Sequence, residues 1–394
     1  MNGIKKYFEG DTVVWIITVL LLLLSIPAVY SASAMISQKV GGGDIRFLIK
    51  QLFAVILALI TVYAAYRIPF KTYMKLSKIL LPIALILLLI TNISGVSHND
   101  ARRWIEIPVV GIELQTSEIA KIALIMFLAK LLTITKDNEL YDKNVRTATI
   151  AAFITIAMVL PSGLSNALII TFVAVLIMFV AAVRLKSIYK IVLIALGIVV
   201  LYLLFAEMFD LPGRVSTWGH RLDVFFSPDD ELLSDETYQS DISKMAIVNG
   251  GVWGQGPGNG TVRFLLPQSH SDFIFAFIIE EYGLWMALII MMLYGALFYR
   301  GVRIAKKTDS LFAAYLVLGL TLAIVLQAFI NMGVSVGALP VTGQTLPLIS
   351  MGRTSLLVTS FSIGIILNIS KHITPKETPQ EISNTNEPYE YDEN

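Results

Sequence analysis

The residues best suited to chemistry lie in one stretch, 267–283, which reads Pro-Gln-Ser-His-Ser-Asp-Phe-Ile-Phe-Ala-Phe-Ile-Ile-Glu-Glu-Tyr-Gly. It starts as a polar segment with His270 and Asp272 and continues into an apolar run with Glu280 and Glu281. At ~1.5 Å per helical residue, Glu281 lies roughly 13 Å along the helix from Asp272. The stretch therefore predicts one carboxylate at a membrane surface and two inside a membrane helix, where acids are costly and usually mark function.

Each of these acids also has a structural interpretation. An aspartate directly before Phe-Ile-Phe is a good helix N-cap. A carboxylate at an outer surface, next to a region of low dielectric, can equally accept a proton as a general base, and one residue can do both. Glu280 and Glu281 can serve as structural partners for a basic residue or a helix dipole inside the bundle.

A second charged group precedes and enters a predicted helix. Arg102 and Arg103 lie in a short connection, Glu118 follows in the first helical turn, and Lys121 comes three residues later. A helix N-terminus, two guanidinium groups and a lysine suit a pyrophosphate. The alternative is an i,i+3 ion pair between Glu118 and Lys121 beside ordinary interfacial arginines.

The composition defines the class of protein. The chain has 394 residues, of which 56% are hydrophobic and 15% charged, with a mean hydropathy of +0.72. Such a chain cannot cover a soluble surface, so it is predicted to be an all-α polytopic membrane protein. A net charge of +1 gives no field that would attract nucleic acid. The absence of cysteine excludes disulfides, thiol nucleophiles and thiolate zinc sites.

Apolar runs predict ten membrane helices at 13–30, 47–66, 76–93, 117–134, 147–161, 166–183, 189–207, 273–298, 311–334 and 351–369. Lysine and arginine cluster in one set of connections, which places both termini in the cytoplasm. The predicted organisation is a cytoplasmic N-terminus at 1–12 and a ten-helix membrane domain at 13–372. A large outer loop at 208–272 separates spans 7 and 8, and residues 373–394 form a disordered cytoplasmic tail.

Three segments of the outer loops have distinctive compositions. Residues 250–260 contain many glycines, which allow tight turns and close approach of the backbone to a ligand, but they follow no pattern typical of a nucleotide loop. The alternative is a compact glycine-rich loop without a ligand. The acidic run 229–236 reads as a solvated face that could also take a divalent cation such as Mg²⁺ or Mn²⁺. Small residues and two prolines in 331–355 predict an irregular segment that lines a cavity, as in the broken helices of transporters.

Six motifs carry a resemblance to a known family, in the family's order and spacing. They are Ala101-Arg-Arg-Trp-Ile, Gln115-Thr-Ser-Glu-Ile-Ala-Lys, Tyr238-Gln, the glycine run 250–260, Leu266-Pro-Gln-Ser-His-Ser-Asp-Phe-Ile-Phe and Leu339-Pro-Val-Thr-Gly-Gln-Thr-Leu-Pro-Leu-Ile-Ser. The chain resembles the shape, elongation, division and sporulation family, which includes FtsW and RodA. The short N-terminus and the last motif resemble the division members, FtsW, more than the elongation members.

The resemblance implies a ten-span peptidoglycan glycosyltransferase in the bacterial inner (plasma) membrane, at the division septum. Such enzymes polymerise lipid II, a polyprenyl-pyrophosphate-linked glycan, at the outer leaflet, together with a class B penicillin-binding protein and other division or elongation proteins. Asp272 matches the catalytic aspartate of the family. The other residues at matching positions, with implied substrate-binding roles, are Arg102, Arg103, Gln115, Glu118, Lys121, Gln239, Asn259 and His270.

The chain departs from the family pattern at two informative places. Pro161-Ser-Gly-Leu-Ser stands where the family has Pro-Asp-Leu-Gly-Thr, so the acid is missing and no role is transferred there. Arg353 stands where a glycine is usual.

The resemblance implies an inverting transfer in which Asp272 deprotonates the 4-hydroxyl of the acceptor N-acetylglucosamine. Arg102, Arg103 and Lys121 would stabilise the charge on the leaving pyrophosphate. The alternative from another class is a lipid II flippase or lipid-linked precursor transporter, and a third is a non-catalytic scaffold for division proteins.

Overall fold

The computed structural model of the chain describes residues 9–33, 44–98, 101–107, 112–134, 139–208, 235–265, 271–352 and 354–373. The helices in these ranges are α1 (Thr12–Ala32), α2 (Asp44–Arg67), α3 (Phe70–Ser94), α4 (Thr116–Leu131), α5 (Tyr141–Val159), α6 (Leu164–Val180), α7 (Leu185–Met208), α8 (Asp235–Gly250), α9 (Ile274–Lys307), α10 (Leu311–Ser335) and α11 (Ser355–Lys371). Short 3-10 helices at Leu160–Ser162 and Val262–Phe264 lie between α5 and α6 and between α8 and α9.

A small antiparallel sheet lies between α3 and α4. Its strands are β1 (Val96–His98), β2 (Ala101–Ile107) and β3 (Ile112–Gln115), in the order β1-β2-β3. Trp104 of β2 pairs with Gln115, after which the chain enters α4 directly at Thr116. The sheet is not evident from the sequence, because strands of three to seven residues carry little periodicity. It places Arg102 and Arg103 on a paired strand.

The described helices have the lengths and apolarity of a polytopic membrane protein. Six of them are long and apolar enough to cross a bilayer, namely Thr12–Ala32, Ile45–Arg67, Phe70–Ser94, Tyr141–Ser162, Ile274–Lys307 and Leu311–Ser335. Leu164–Val180 and Ser355–Lys371 are shorter apolar helices. The predicted fold class is therefore confirmed. Each of the ten predicted spans overlaps a helix, but their number and the sides of the membrane stay predictions.

Helix α10 lies in the centre of the bundle, and α2 lies at its periphery. The most apolar window of α10 is 72% buried, whereas that of α2 is 22% buried. Large apolar side chains such as Phe53 and Ile56 are exposed on α2 and suit contact with lipid tails. Glycine allows α10 and α4 to pack closely, because a Cβ on Gly319 of α10 would lie only 2.7 Å from Ile125 Cγ2 of α4.

Helix α9 is broken at Gly283, where φ is 80° and ψ is 177°. The break removes local helical hydrogen bonds, and the glycine-rich loop 250–260 replaces them. Three backbone bonds do so: Gln255 N–H to the Glu280 carbonyl (2.9 Å), Gly256 N–H to the Glu281 carbonyl (2.9 Å) and Leu284 N–H to the Gly251 carbonyl (3.0 Å). The loop therefore satisfies backbone groups that would be costly to bury unpaired.

The glycines of this loop allow backbone to lie against backbone. A Cβ on Gly250 would lie 2.1 Å from the Ile279 carbonyl oxygen, and one on Gly254 would lie 2.3 Å from the Glu281 carbonyl oxygen. The glycine run therefore approaches the backbone of the broken helix, whereas its composition had suggested close approach to a ligand.

We expect Gly283→Ala to lower the free energy of unfolding by about 1–3 kcal/mol, because this backbone region is almost restricted to glycine. The added Cβ would also lie 2.2 Å from the Val252 carbonyl oxygen. Thermal unfolding in detergent measures the effect. Gly295→Ala in the same helix is the control, because a Cβ there meets no atom within 4 Å. Equal melting temperatures for the two variants would contradict the proposed cause.

Candidate functional site

Asp272 lies two residues before the first residue of α9 and is half-buried. The helix begins at Ile274 with Phe273 in the cap position, and no side chain caps it. The N-cap interpretation of Asp272 is therefore not the one that the structure adopts. Phe273 is buried in a small apolar cluster formed by Ile242, Ala246, Val262, Phe273, Ala276 and Val334. This cluster packs α8 and α10 against the start of α9, which supports the backbone next to Asp272.

Arg103 and Asp272 lie against the same glycine. A Cβ on Gly343 would lie 3.2 Å from Arg103 Nη1 and 3.5 Å from Asp272 Oδ2. Gly343 has a φ of 66°, so glycine suits both its backbone and the space beside it. The structure therefore brings together a guanidinium and a carboxylate that are far apart in the sequence.

The guanidinium of Arg103 is also attached to the turn after α5. Its Nε donates a hydrogen bond of 2.9 Å to the carbonyl oxygen of Ser162. Ser162 occupies the position where the family pattern has an acid, and here a backbone carbonyl contacts the arginine. The backbone of Arg102 is part of β2, and its side chain lies outside the described residues.

Glu118 and Lys121 form a buried ion pair. Lys121 Nζ lies 2.8 Å from Glu118 Oε2 and 2.7 Å from Gln327 Oε1 of α10. Glu118 is 2% exposed and Lys121 is 6% exposed. The pair lines a pocket between α4, α10 and α11, together with polar residues that include Thr359 and Ser362. The i,i+3 pairing predicted from the spacing is therefore present, and it lies within the bundle.

One irregular segment connects the two charged groups. Residues 336–352 form no helix or strand, which confirms the central part of the irregular segment predicted at 331–355. The prediction was wrong at its ends, because residues 331–335 complete α10 and Ser355 begins α11. Gln327 Nε2 donates to the Thr345 carbonyl at 3.2 Å, and Asn331 Nδ2 donates to the neighbouring Gln344 carbonyl at 2.7 Å. The ion pair and the Asp272 region are thus fastened to adjacent residues of the same segment.

Gln115 lies at the junction between the sheet and α4. Its backbone N–H donates to Thr354 Oγ1 at 3.1 Å, and its side-chain amide lies 3.4 Å from Ser117 Oγ. Asn166 of α6 donates to the same hydroxyl at 3.1 Å. Gln115 therefore lies in a polar contact region between the start of α4, the start of α11 and α6.

Glu280 and Glu281 are fully buried and stabilise the glycine-rich loop. Glu280 Oε1 accepts from Thr261 N–H at 2.8 Å and from Val262 N–H at 3.1 Å. Glu281 Oε1 accepts from Gly258 N–H at 2.9 Å and from the hydroxyl of Ser31. Their structural partners include backbone N–H groups of the loop, which sequence spacing could not indicate.

The remaining candidate residues have fewer described contacts. Gln239 is half-buried on α8, and Asn259 is exposed and donates to the Gln255 carbonyl within the loop at 3.1 Å. His270 and Arg353 lie outside the described residues, as does the acidic run except for the backbone of Asp235 and Glu236. Asn331, Gln327 and Ser350 were not candidates, because an uncharged polar residue in an apolar helix or a loop gives no signal of its role.

Comparison with known proteins covers nearly the whole chain. Residues 11–374 match the family model FTSW_RODA_SPOVE, described as cell cycle protein. The chain is 34% identical over 382 residues to a probable peptidoglycan glycosyltransferase FtsW of Geobacter metallireducens, covering 96% of this chain and 98% of the relative. It is 31% identical over 374 residues to stage V sporulation protein E of Bacillus subtilis, covering 93% and 98%.

Solved structures show the same fold at lower identity. One match is a chain in a structure that describes the coordination of polymerization and crosslinking by a peptidoglycan synthase complex. Its TM-score is 0.70 at 22% identity, and the match covers 93% of this chain and 99% of that one. The rod shape determining protein RodA of Thermus thermophilus matches with a TM-score of 0.65 and 22% identity, covering 92% and 97%.

Proposed function

Because the chain belongs to the FtsW, RodA and SpoVE family of cell cycle proteins, we propose that it is a peptidoglycan glycosyltransferase. Its reaction is the polymerisation of lipid II into glycan strands at the outer leaflet, for septal wall synthesis in cell division. Relatives over 90% or more of this chain are named probable peptidoglycan glycosyltransferase FtsW. The site is assigned on one observation: the side chains of Arg103 and Asp272 both lie against Gly343.

Asp272 is the proposed general base. It accepts the proton of the acceptor's 4-hydroxyl, and the resulting oxygen nucleophile attacks the anomeric carbon of the donor with inversion. The pyrophosphate leaves without protonation, so a single enzymatic carboxylate is sufficient. The ionised carboxylate is the form that a general base needs, and the Arg103 guanidinium lies against the same glycine, Gly343.

Arg103 is the proposed contact for the leaving pyrophosphate, with Arg102 and Lys121 as further cations. Preorganised positive charge at a position where negative charge develops is often the largest contribution to such a step. The Ser162 carbonyl holds Arg103 in place, so little reorganisation is needed during the reaction. Lys121 is fastened by Glu118 and Gln327, and acts from the pocket between α4, α10 and α11.

A lipid II flippase is the second candidate, and the buried Glu118–Lys121 pair in a pocket of the bundle favours it. Ionisable residues inside membrane proteins often mark substrate pathways. Two assays on the same purified protein separate the candidates. Glycan strands formed from labelled lipid II in detergent support the polymerase. Passage of labelled lipid II across liposomes without strand formation would support the flippase and overturn the polymerase.

The proposed partner is a class B penicillin-binding protein, whose transpeptidase would crosslink the new strands at the division septum. The likeness to a chain of a peptidoglycan synthase complex supports such an assembly. Co-purification of the full-length chain with the transpeptidase from the same cell tests this. The proposed assembly would be contradicted if the two proteins did not co-purify and the transpeptidase left the rate of strand synthesis unchanged.

The proposed topology has a ten-helix membrane domain at 13–372, with residues 1–12 and 373–394 in the cytoplasm. The chain contains no cysteine, so labelling of a single introduced cysteine shows on which side of the membrane that position lies. We expect Trp253→Cys, at a side chain that is 80% exposed, to react with a membrane-impermeant maleimide on intact cells. His372→Cys, the matched exposed site at the end of α11, should react only after permeabilisation. The reverse pattern would contradict the orientation.

A further inference from the structure

We infer that Asn331 is a positioning residue that sets the place of the Asp272 carboxylate relative to Arg103. The inference rests on the proposed function, because it takes Asp272 as the reacting group. Asn331 lies in the last turns of α10, whose most apolar window is the most buried among the six long apolar helices, and is itself 1% exposed.

The side-chain amide of Asn331 bridges the two segments that meet at the site. Its Nδ2 donates to the Asp272 carbonyl at 2.7 Å and to the Gln344 carbonyl at 2.7 Å. A primary amide has two N–H donors, so these two bonds use both of them and define the orientation of the group. Its Oδ1 has no hydrogen-bond partner among the described residues. The hydrogen bonds of the Asn331 side chain are therefore made by its two donors and not by its oxygen.

Ser350 provides a second connection between the same segments. Its hydroxyl donates to the Ser271 carbonyl at 2.6 Å and accepts from the Leu346 N–H at 2.7 Å. Residues 271 and 272 are thus fastened, through two side chains, to residues 344 and 346. Gly343, which lies against both Arg103 and the Asp272 carboxylate, is adjacent to Gln344. The hydrogen bonds of Asn331 therefore determine where the carboxylate lies against the guanidinium.

The backbone of Asn331 is held by hydrogen bonds to buried side chains. Ser335 donates its hydroxyl to the Asn331 carbonyl at 2.9 Å, and Ser243 of α8 donates to the Ser335 carbonyl at 2.7 Å. Both serines are 0% exposed. A donor on a well-supported helix can hold a loop residue to within the tolerance that a proton transfer needs.

The test uses Asn331→Leu, which keeps the number and branching of the side-chain heavy atoms and removes both donors. We expect kcat for glycan-strand formation from lipid II to fall by about 10- to 100-fold, as for a reacting group displaced by about 1 Å. The KM for lipid II should change little, because Asn331 is buried and its two side-chain hydrogen bonds go to backbone carbonyls. Amide hydrogen exchange in peptides covering 271–277 should become faster. Ser350→Ala should also lower kcat with little change in KM, by a smaller factor. It serves as the second variant if Asn331→Leu does not fold.

Asn368→Leu is the matched control. Asn368 is 3% exposed, donates its amide to the Tyr66 carbonyl at 2.6 Å, and has an Oδ1 without a partner among the described residues. It lies roughly 20 Å along α11 from the helix start near Gln115. The control should lose a similar amount of thermal stability while keeping its kcat and the exchange rate of 271–277.

The outcomes separate this inference from the proposed function. If the wild type forms strands and Asp272→Asn does not, a wild-type kcat in Asn331→Leu overturns the positioning role alone. If the wild type forms no strands, the proposed function fails, but hydrogen exchange still tests whether Asn331 holds residues 271–277 in place. Faster exchange of 271–277 in Asn331→Leu, but not in Asn368→Leu, supports that role. Unchanged exchange in Asn331→Leu overturns it.

Discussion

Asp272→Asn should abolish glycan-strand formation from lipid II by the purified protein. Asparagine has nearly the same shape but cannot accept a proton at neutral pH, and general-base catalysis contributes about 10²- to 10⁴-fold. The substitution should leave the fold intact, because the hydrogen bond from Asn331 goes to the backbone carbonyl of residue 272 rather than to its carboxylate. Strand formation on denaturing gels, at matched expression, measures the effect.

Asp241→Asn is the control for this substitution. Asp241 is an exposed acid on α8 that pairs with Lys244 at 3.1 Å, so its replacement should leave strand formation unchanged. Wild-type activity in Asp272→Asn would overturn the assignment of the base. Normal growth of cells that depend on Asp272→Asn would instead support the alternative of a non-catalytic scaffold.

Lys121→Ala should both destabilise the protein and weaken its use of the donor. Removing one partner of a buried ion pair leaves an uncompensated charge, here Glu118, and costs about 3–5 kcal/mol. The exposed pair Asp241–Lys244 has the same i,i+3 spacing, with side chains 63% and 52% exposed. Lys244→Ala should therefore cost at most about 1 kcal/mol. Unfolding in detergent compares the two variants.

A double substitution separates stability from function at this pair. Glu118→Gln with Lys121→Met removes both charges at similar volume, so most of the stability should return. We expect the double variant to fold and still need more donor lipid for the same rate. A folded double variant with unchanged donor dependence would show that the pair is structural.

Several features of this protein follow from the sequence because they are local. Apolar runs of about 20 residues predict membrane helices, since a helix of that length spans the bilayer. The spacing of Glu118 and Lys121 predicts their contact, since residues three apart share a helix face. Asp272 stands out because its motif matches the catalytic aspartate of the family, whereas its place before an apolar run suits a helix N-cap equally well.

Other features depend on packing between distant parts of the chain. Asn331 contacts a residue 59 positions away, Ser350 one 79 positions away, and Lys121 one 206 positions away. No periodicity relates such residues, because each contact forms only when helices and loops have taken their relative places. The same holds for the break at Gly283, whose freed backbone groups are satisfied by a loop some 30 residues earlier.

The stretch with Asp272, Glu280 and Glu281 shows this division within a few residues. Their residue types and positions, at the start of a membrane helix and inside it, are determined by the sequence alone. Only the tertiary structure distinguishes their surroundings. Glu280 and Glu281 accept hydrogen bonds from backbone N–H groups of and next to the glycine-rich loop, whereas Asp272 and Arg103 both lie against Gly343. The physical reason is that a carboxylate's chemistry depends on its neighbours in space, and those neighbours come from other helices.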